Sequence, residues 1–306
     1  MRGGLFTSGR LVRMRASLRG FFAARQRRSG FTVIEVIIVL AITGGLFISA
    51  AVMIAGRQRQ TAFTQSSQQI QSQIQQVINE VAAGFYPDTN NFRCTAGASG
   101  PVLSAIDSGQ GTNSGCIFLG KAMQFKVGDT DPDQFATYTI AGLQKGSGGQ
   151  ESGSLSDAKP IVVAPSTMRP GYPDNSSTDQ LQSGLEVVRM WYNNGGADVE
   201  IGAVAFVNSL AEYGFAGEIV SGSGRVNVVA VDGTTLGQSR TAVVDAMNSD
   251  AGDMIAGGTI NPSGGVFVCF DGGTDDYALV QIGGDKRELS VTLVTKDKRG
   301  SSCTSA

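Results

Sequence analysis

Glu35 stands immediately before an uncharged apolar run, VIIVLAITGGLFISAAVMI, residues 36 to 54. A carboxylate deep in hydrocarbon costs about 2.5–3.5 kcal/mol on insertion scales, and less toward the interface, so an acid here is a functional candidate by default. The plain alternative sets it at the edge of the apolar layer, where it favours the positive end of a helix dipole. Three further acids, Asp129, Asp131 and Asp133 in GDTDPDQ, alternate as the first ligands of a calcium loop do. The sixth position of that loop is Gln134 instead of glycine, and the twelfth is Ile140 instead of glutamate. Calcium is therefore the weaker reading beside a solvated hairpin loop, and no cofactor is expected. Asp271, Asp275 and Asp276 read in the same way as turn residues.

The chain has no histidine, which excludes Ser-His-Asp and Cys-His nucleophiles and histidine-ligated metals. No P-loop or dinucleotide fingerprint follows a strand and opens a helix, and an enzyme is not expected. The cysteines, Cys94, Cys116, Cys269 and Cys303, show no CxxC spacing and suit disulfides in an oxidising compartment. Four cysteines allow three pairings. The local one, Cys94 with Cys116 and Cys269 with Cys303, closes the shortest loops and is the expected one; each bridge is worth roughly 3–4 kcal/mol in the chain-entropy account. Trp191 and Tyr192, ahead of Asn193-Asn194-Gly195-Gly196, fit an exposed adhesive surface or, more commonly, strand-end core aromatics.

The elements that position these residues change character along the chain. The run from Val36 to Ile54 approaches the ~20 residues a helix needs to cross a bilayer, and helix is the one conformation that satisfies its backbone there. Ahead of it lie Arg2, Arg10, Arg13, Arg15, Arg19, Arg25, Arg27 and Arg28 with no acid among them, so the N-terminus stays cytoplasmic and residues from about 57 onward are exported. Helical periodicity then continues through Phe63, Ile70, Ile74, Val77, Ile78, Val81 and Phe85, with glutamine and serine on the other face. The spacing predicts one helix ending near Gly84, before Pro87. Gly44 and Gly45 are its weak points in water, suited to bending or to close packing.

From about residue 86 the pattern turns to short strands: 117–119, 123–127, 135–140, 160–164, 185–192, 199–207, 226–231, 266–270, 277–282 and 288–294. Tight turns in DGGTDD and GGDKRE link the last three into an antiparallel meander. KGSGGQESGSLSD, residues 145 to 157, reads as a flexible excursion within the head. The expected fold class is α+β: a long N-terminal helix, membrane-spanning first and amphipathic second, packed on an antiparallel β-rich head. Its expected parts are a basic leader (1–30), an assembly helix (31–85) and an exported head (86–306), in one domain with insertions or two small lobes. Without the leader the chain is strongly acidic, which speaks against nucleic acid as a partner despite Lys286, Arg287, Lys296, Lys298 and Arg299.

An ordinary secretory signal places its cleavage site after the apolar core. Here Ser29-Gly30 followed by Phe31-Thr32-Val33-Ile34-Glu35 resembles the recognition sequence of the type IV prepilin and pseudopilin family. The likeness covers residues 25 to 60 and is carried by composition, order and spacing together. It implies cleavage between Gly30 and Phe31 by a membrane aspartyl peptidase, N-methylation of Phe31, and retention of the apolar helix. It also implies that Glu35 pairs with the amino terminus of a neighbouring subunit, and that Cys269–Cys303 ties a C-terminal loop as in many pilins. The expected partners are identical or related pilin subunits, the prepilin peptidase, an assembly platform with its ATPase, and the membrane. The expected location is a single pass in the inner membrane before assembly, then an extracellular pilus or the cell surface. Two rivals are a minor pilin with an adhesive head and a monomeric surface-binding protein that uses the helix as an anchor.

Overall fold

The computed structural model describes residues 30–84, 93–97, 100–104, 115–128, 131–145, 152–163, 177–208, 226–249, 255–273, 276–284, 289–297 and 303. The chain divides into two compact units, Met1–Ile54 and Ala55–Ala306. Helix α1 (Val33–Ala82) contributes to both. No proline interrupts it, and it closes where Gly84 takes a left-handed φ of 64° and donates to the Val81 carbonyl at 2.9 Å, the conformation glycine adopts at lowest cost. By length and hydropathy this helix could cross a membrane.

In the second unit, β1 (Arg93–Ala96) and β2 (Pro101–Ser104) form a small hairpin. They are followed by β3 (Cys116–Phe125), β4 (Gln134–Leu143), the one-turn helix α2 (Leu155–Ala158), β5 (Ile161–Val163) and β6 (Ser177–Gln180). Next come β7 (Glu186–Asn194), β8 (Ala197–Glu200), β9 (Ala203–Asn208), β10 (Val226–Ala230) and helix α3 (Arg240–Met247). The chain closes with β11 (Thr259–Ile260), β12 (Val266–Asp271), β13 (Asp276–Ile282) and β14 (Val291–Asp297). A seven-stranded sheet runs β11-β10-β9-β3-β4-β5, with β6 also on β4, and a five-stranded sheet runs β14-β13-β12-β7-β8. Every described pairing is antiparallel. The architecture is α+β.

Phe63, Ile70, Ile74, Val77, Ile78 and Val81 of α1 enter one core with residues of both sheets, among them Phe206, Tyr192, Val268 and Val280. A second core lies on the other face of the seven-stranded sheet, where Ala158 of α2 and Val243, Val244 and Met247 of α3 cover Leu119, Ala136 and Ile140. Two polar contacts fix the head half of α1. Gln71 Nε2 donates to the Val291 carbonyl of β14 at 2.7 Å, and the Lys121 ammonium of β3 donates to Glu80.

The C-terminal strands β12, β13 and β14 form the expected antiparallel meander, with β14 beginning at Val291 rather than residue 288. The expected strands 117–119 and 123–127 join in one bulged strand that ends at Phe125, where Lys126 takes a left-handed φ of 53°; a Cβ at Gly120 would collide with the Phe206 carbonyl, and glycine alone lets β3 and β9 approach there. The expected strand 199–207 breaks instead at Ile201–Gly202. Ile201 N–H still bonds Met190 of β7, whereas Gly202 N–H turns to the Thr234 hydroxyl and its carbonyl accepts from Phe125. One stretch thus serves two sheets. Within 145–157, Ser154 caps α2 by accepting from Asp157 N–H, and the buried Ser152 hydroxyl donates to Leu143 O, so its second half is fixed structure.

Candidate functional site

Residues 30 to 36 form a compact hydrogen-bonded start to α1. Glu35 Oε2 accepts from both the backbone N–H and the hydroxyl of Thr32, each at 2.9 Å, while Thr32 Oγ1 accepts from Glu35 N–H at 3.4 Å. This is a capping box, in which residue and helix end satisfy each other's orphan donors. Val36 N–H closes the first turn on the Thr32 carbonyl at 3.3 Å. Both bonds accepted by the carboxylate fall on Oε2, and Oε1 takes none from the described residues. Glu35 therefore holds its own helix end and keeps one oxygen free for an incoming donor.

The Gly30–Phe31 bond lies ahead of the first helical residue, and both residues are exposed, Phe31 at 83%. A protease needs accessible backbone, and both residues of this junction are exposed. Beyond it the apolar side chains of α1 are uncovered as far as Ile54: Ile37, Leu40, Leu46, Phe47 and Val52 all face outward. Gly44 and Gly45 are helical, with no heavy atom within 4 Å of a would-be Cβ.

At the head end of α1, burial tends to push the Glu80 carboxyl up. Hydrogen bonds from Lys121 and Gln76, with the Lys121 charge, outweigh burial and hold it below the ordinary carboxylate range. The contact is a partly buried ion pair between helix and sheet, stronger than an exposed one because less water screens it.

The other singled-out residues are structural. Asp131 and Asp133 lie in the turn joining β3 to β4; the Asp131 carbonyl accepts from Gln134 and the Asp133 carbonyl from Leu181. Asp129 lies outside the described residues, and among those described no group of three or more acids, cysteines or histidines could hold a metal. Asp271 Oδ1 accepts from Gly273 N–H at 2.7 Å in a tight turn, and Asp275 lies outside the described residues. Trp191 and Tyr192 are 6% and 2% exposed, which makes them core aromatics. Trp191 stacks on Phe267 with centroids 5.4 Å apart, under the Arg189 guanidinium at 4.5 Å. The Tyr192 phenol is pushed up, chiefly by burial; a hydrogen bond with Thr259 opposes this, and Asp232 adds to it.

Cys269 of β12 is bonded to Cys303, with Cα atoms 5.8 Å apart. Cys116 is also disulfide-bonded, while the side chain of Cys94 lies outside the described residues.

Thr32, named in the sequence only as part of the junction motif, proves to be the cap of α1. Its signal was present, because Thr32-x-x-Glu35 ahead of an apolar run is the capping-box pattern. The chain matches no family model, no curated protein and no solved structure.

Proposed function

We propose that this chain is a type IV pilin or pilin-like structural subunit, cleaved after Gly30, N-methylated at Phe31 and polymerised through α1 into a surface filament or secretion pseudopilus. The observation that carries the reading is the junction itself. An exposed Gly30–Phe31 bond stands directly before a capped helix whose first turn holds an acid and whose next five turns are apolar and uncovered.

In this reading the subunit waits in the inner membrane with its head exported, and an assembly ATPase and platform protein do the mechanical work. Cleavage creates a positive amino terminus at Phe31. The amino terminus of one subunit pairs with Glu35 of the next, and the free Oε1 accepts that bond without breaking the cap. In low dielectric an unpaired carboxylate costs far more than a paired one, so pairing fixes axial register. Burial of apolar helix surface between subunits gives cohesion. Substituting Glu35→Ala should leave membrane insertion and head folding intact and lower sheared-filament yield about ten-fold or more, equivalent to at least about 1.4 kcal/mol per contact. Wild-type filament yield from that variant would remove the pairing from the account.

A further inference from the structure

The hairpin joining β7 to β8 runs through Asn193, Asn194, Gly195 and Gly196. Gly195 and Gly196 make its two-residue turn with φ of 69° and 132°, positive values that glycine adopts at least cost. Asn194 is the last residue of β7 and pairs with Ala197, the first of β8. All positions from Asn194 to Asp198 are exposed. The two amides of this hairpin are held differently. Asn193 Nδ2 donates to Asp198 Oδ1 at 3.3 Å, and Asn193 Oδ1 accepts from Gly196 N–H at 3.0 Å, so both ends of that amide are tied. The Asn194 side chain makes no hydrogen bond with any described residue, and the Gly195 N–H donates to none. A Cβ built on Gly195 meets no heavy atom within 4 Å, so nothing crowds the junction between them. The chain has a single Asn-Gly pair, and it is this one.

An untied carboxamide beside an unshielded backbone nitrogen is a reactant pair. The Gly195 nitrogen forms a bond to Asn194 Cγ while the Cγ–Nδ2 bond breaks, and the Gly195 N–H proton leaves with the amide as ammonia. Water then opens the cyclic imide at either carbonyl, giving aspartate or isoaspartate. Solvent water is the co-reactant, and no electrons are exchanged. What opposes the step is the pairing of Asn194 with Ala197, which holds the asparagine extended. That pair is the last rung before an exposed turn, and terminal rungs open at little cost. We infer that Asn194 is a site of spontaneous deamidation in the folded protein, and that Asn193, one residue away, is protected by its two hydrogen bonds. The aspartate adds a negative charge beside Asp198 and Glu200, which already share Arg189 at 3.4 and 3.1 Å. Isoaspartate also lengthens the main chain by one carbon at the closing rung. Nothing in this inference depends on the proposed filament.

The test incubates the full-length, detergent-solubilised chain at mildly alkaline pH, beside a synthetic peptide of residues 187 to 200. Peptide mapping by mass spectrometry reads the exchange of NH2 for OH at each asparagine, and labelling with an isoaspartyl methyltransferase counts the isoaspartate. Asn194 of the folded chain should convert within about ten-fold of the peptide's rate, because opening one terminal rung slows it little, while Asn193 stays an amide. Asn194→Gln should remove the product and the methyl label without changing the melting temperature of the head. If the peptide converts and Asn194 of the folded chain does not, the hairpin holds that residue and the inference is wrong. Equal conversion at Asn193 and Asn194 in the folded chain would contradict it as well, since the hydrogen bonds to Asn193 would then give no protection.

Discussion

Thr32 and Glu35 show how one carboxylate serves two ends. Its bonds to the Thr32 N–H and hydroxyl satisfy donors that every helix start leaves open, and its second oxygen, which takes no bond from the described residues, is the one the proposed pairing would use. Glu35 was legible in the sequence because an acid beside nineteen uncharged apolar and small residues is conspicuous; the cap was legible only to someone asking where the first N–H groups go. Glu80 was not legible at all. Its partner Lys121 is forty-one positions away, and nothing local announces the pair. The pair makes a pH prediction. The folded-state pKa of Glu80 lies below its unfolded value, so its contribution is fully present above the ordinary carboxylate pKa of about 4.3 and is lost as pH falls through the lowered value. Glu80→Gln should therefore cost about 1 kcal/mol in urea unfolding at pH 7, and the difference from wild type should narrow at an acid pH below the ordinary carboxylate value. An equal gap at both pH values would show that the charge on Glu80 is not what stabilises.

Among the elements, α1 was readable almost in full. The apolar positions from Phe63 to Val81, at steps of three, four and seven, are buried together with Ser66 and Ser67, Phe85 lies outside the described residues, and the sequence also marked the helix end at Gly84. The buried face anchors the head's main core, because Ile74 is fully enclosed and packs with residues of both sheets. Ile74→Ala should destabilise the head by about 2–5 kcal/mol, measured by chemical unfolding of detergent-solubilised protein; a loss below about 1 kcal/mol would mean the helix is dispensable to that core. The strands were legible less evenly. Those with alternating apolar residues, such as β12 and β13, stood out. The break at Gly202 did not, because it depends on Thr234 and Thr235, which the chain brings there only after β9 and β10. Helix α3 was missed: its eight residues hold two adjacent valines, too short a segment for a helical period to rise above a strand-like one.

For the whole molecule, the two compact units meet at Ile54/Ala55, within α1. Composition already drew that line, since the last strongly apolar run ends at Ile54 and the glutamine-rich stretch begins after Arg57. One face of α1 from Phe63 to Val81 is buried in the core of the second unit. The two halves of α1 thus differ in their surroundings: the apolar side chains of the first are uncovered, and one face of the second enters the head's own core. Under the proposed function the basic leader sets orientation, and the acidic remainder is what the cell exports. All of this depends on where the chain is cut, because a signal peptidase acting after the apolar run would discard the segment to which assembly is assigned. Intact-mass and N-terminal peptide spectrometry of the membrane-extracted mature protein tests that directly. The account predicts a first residue of Phe31 carrying one added methyl group, with residues 36 to 54 retained; an intact leader, or a first residue beyond position 50, would contradict it.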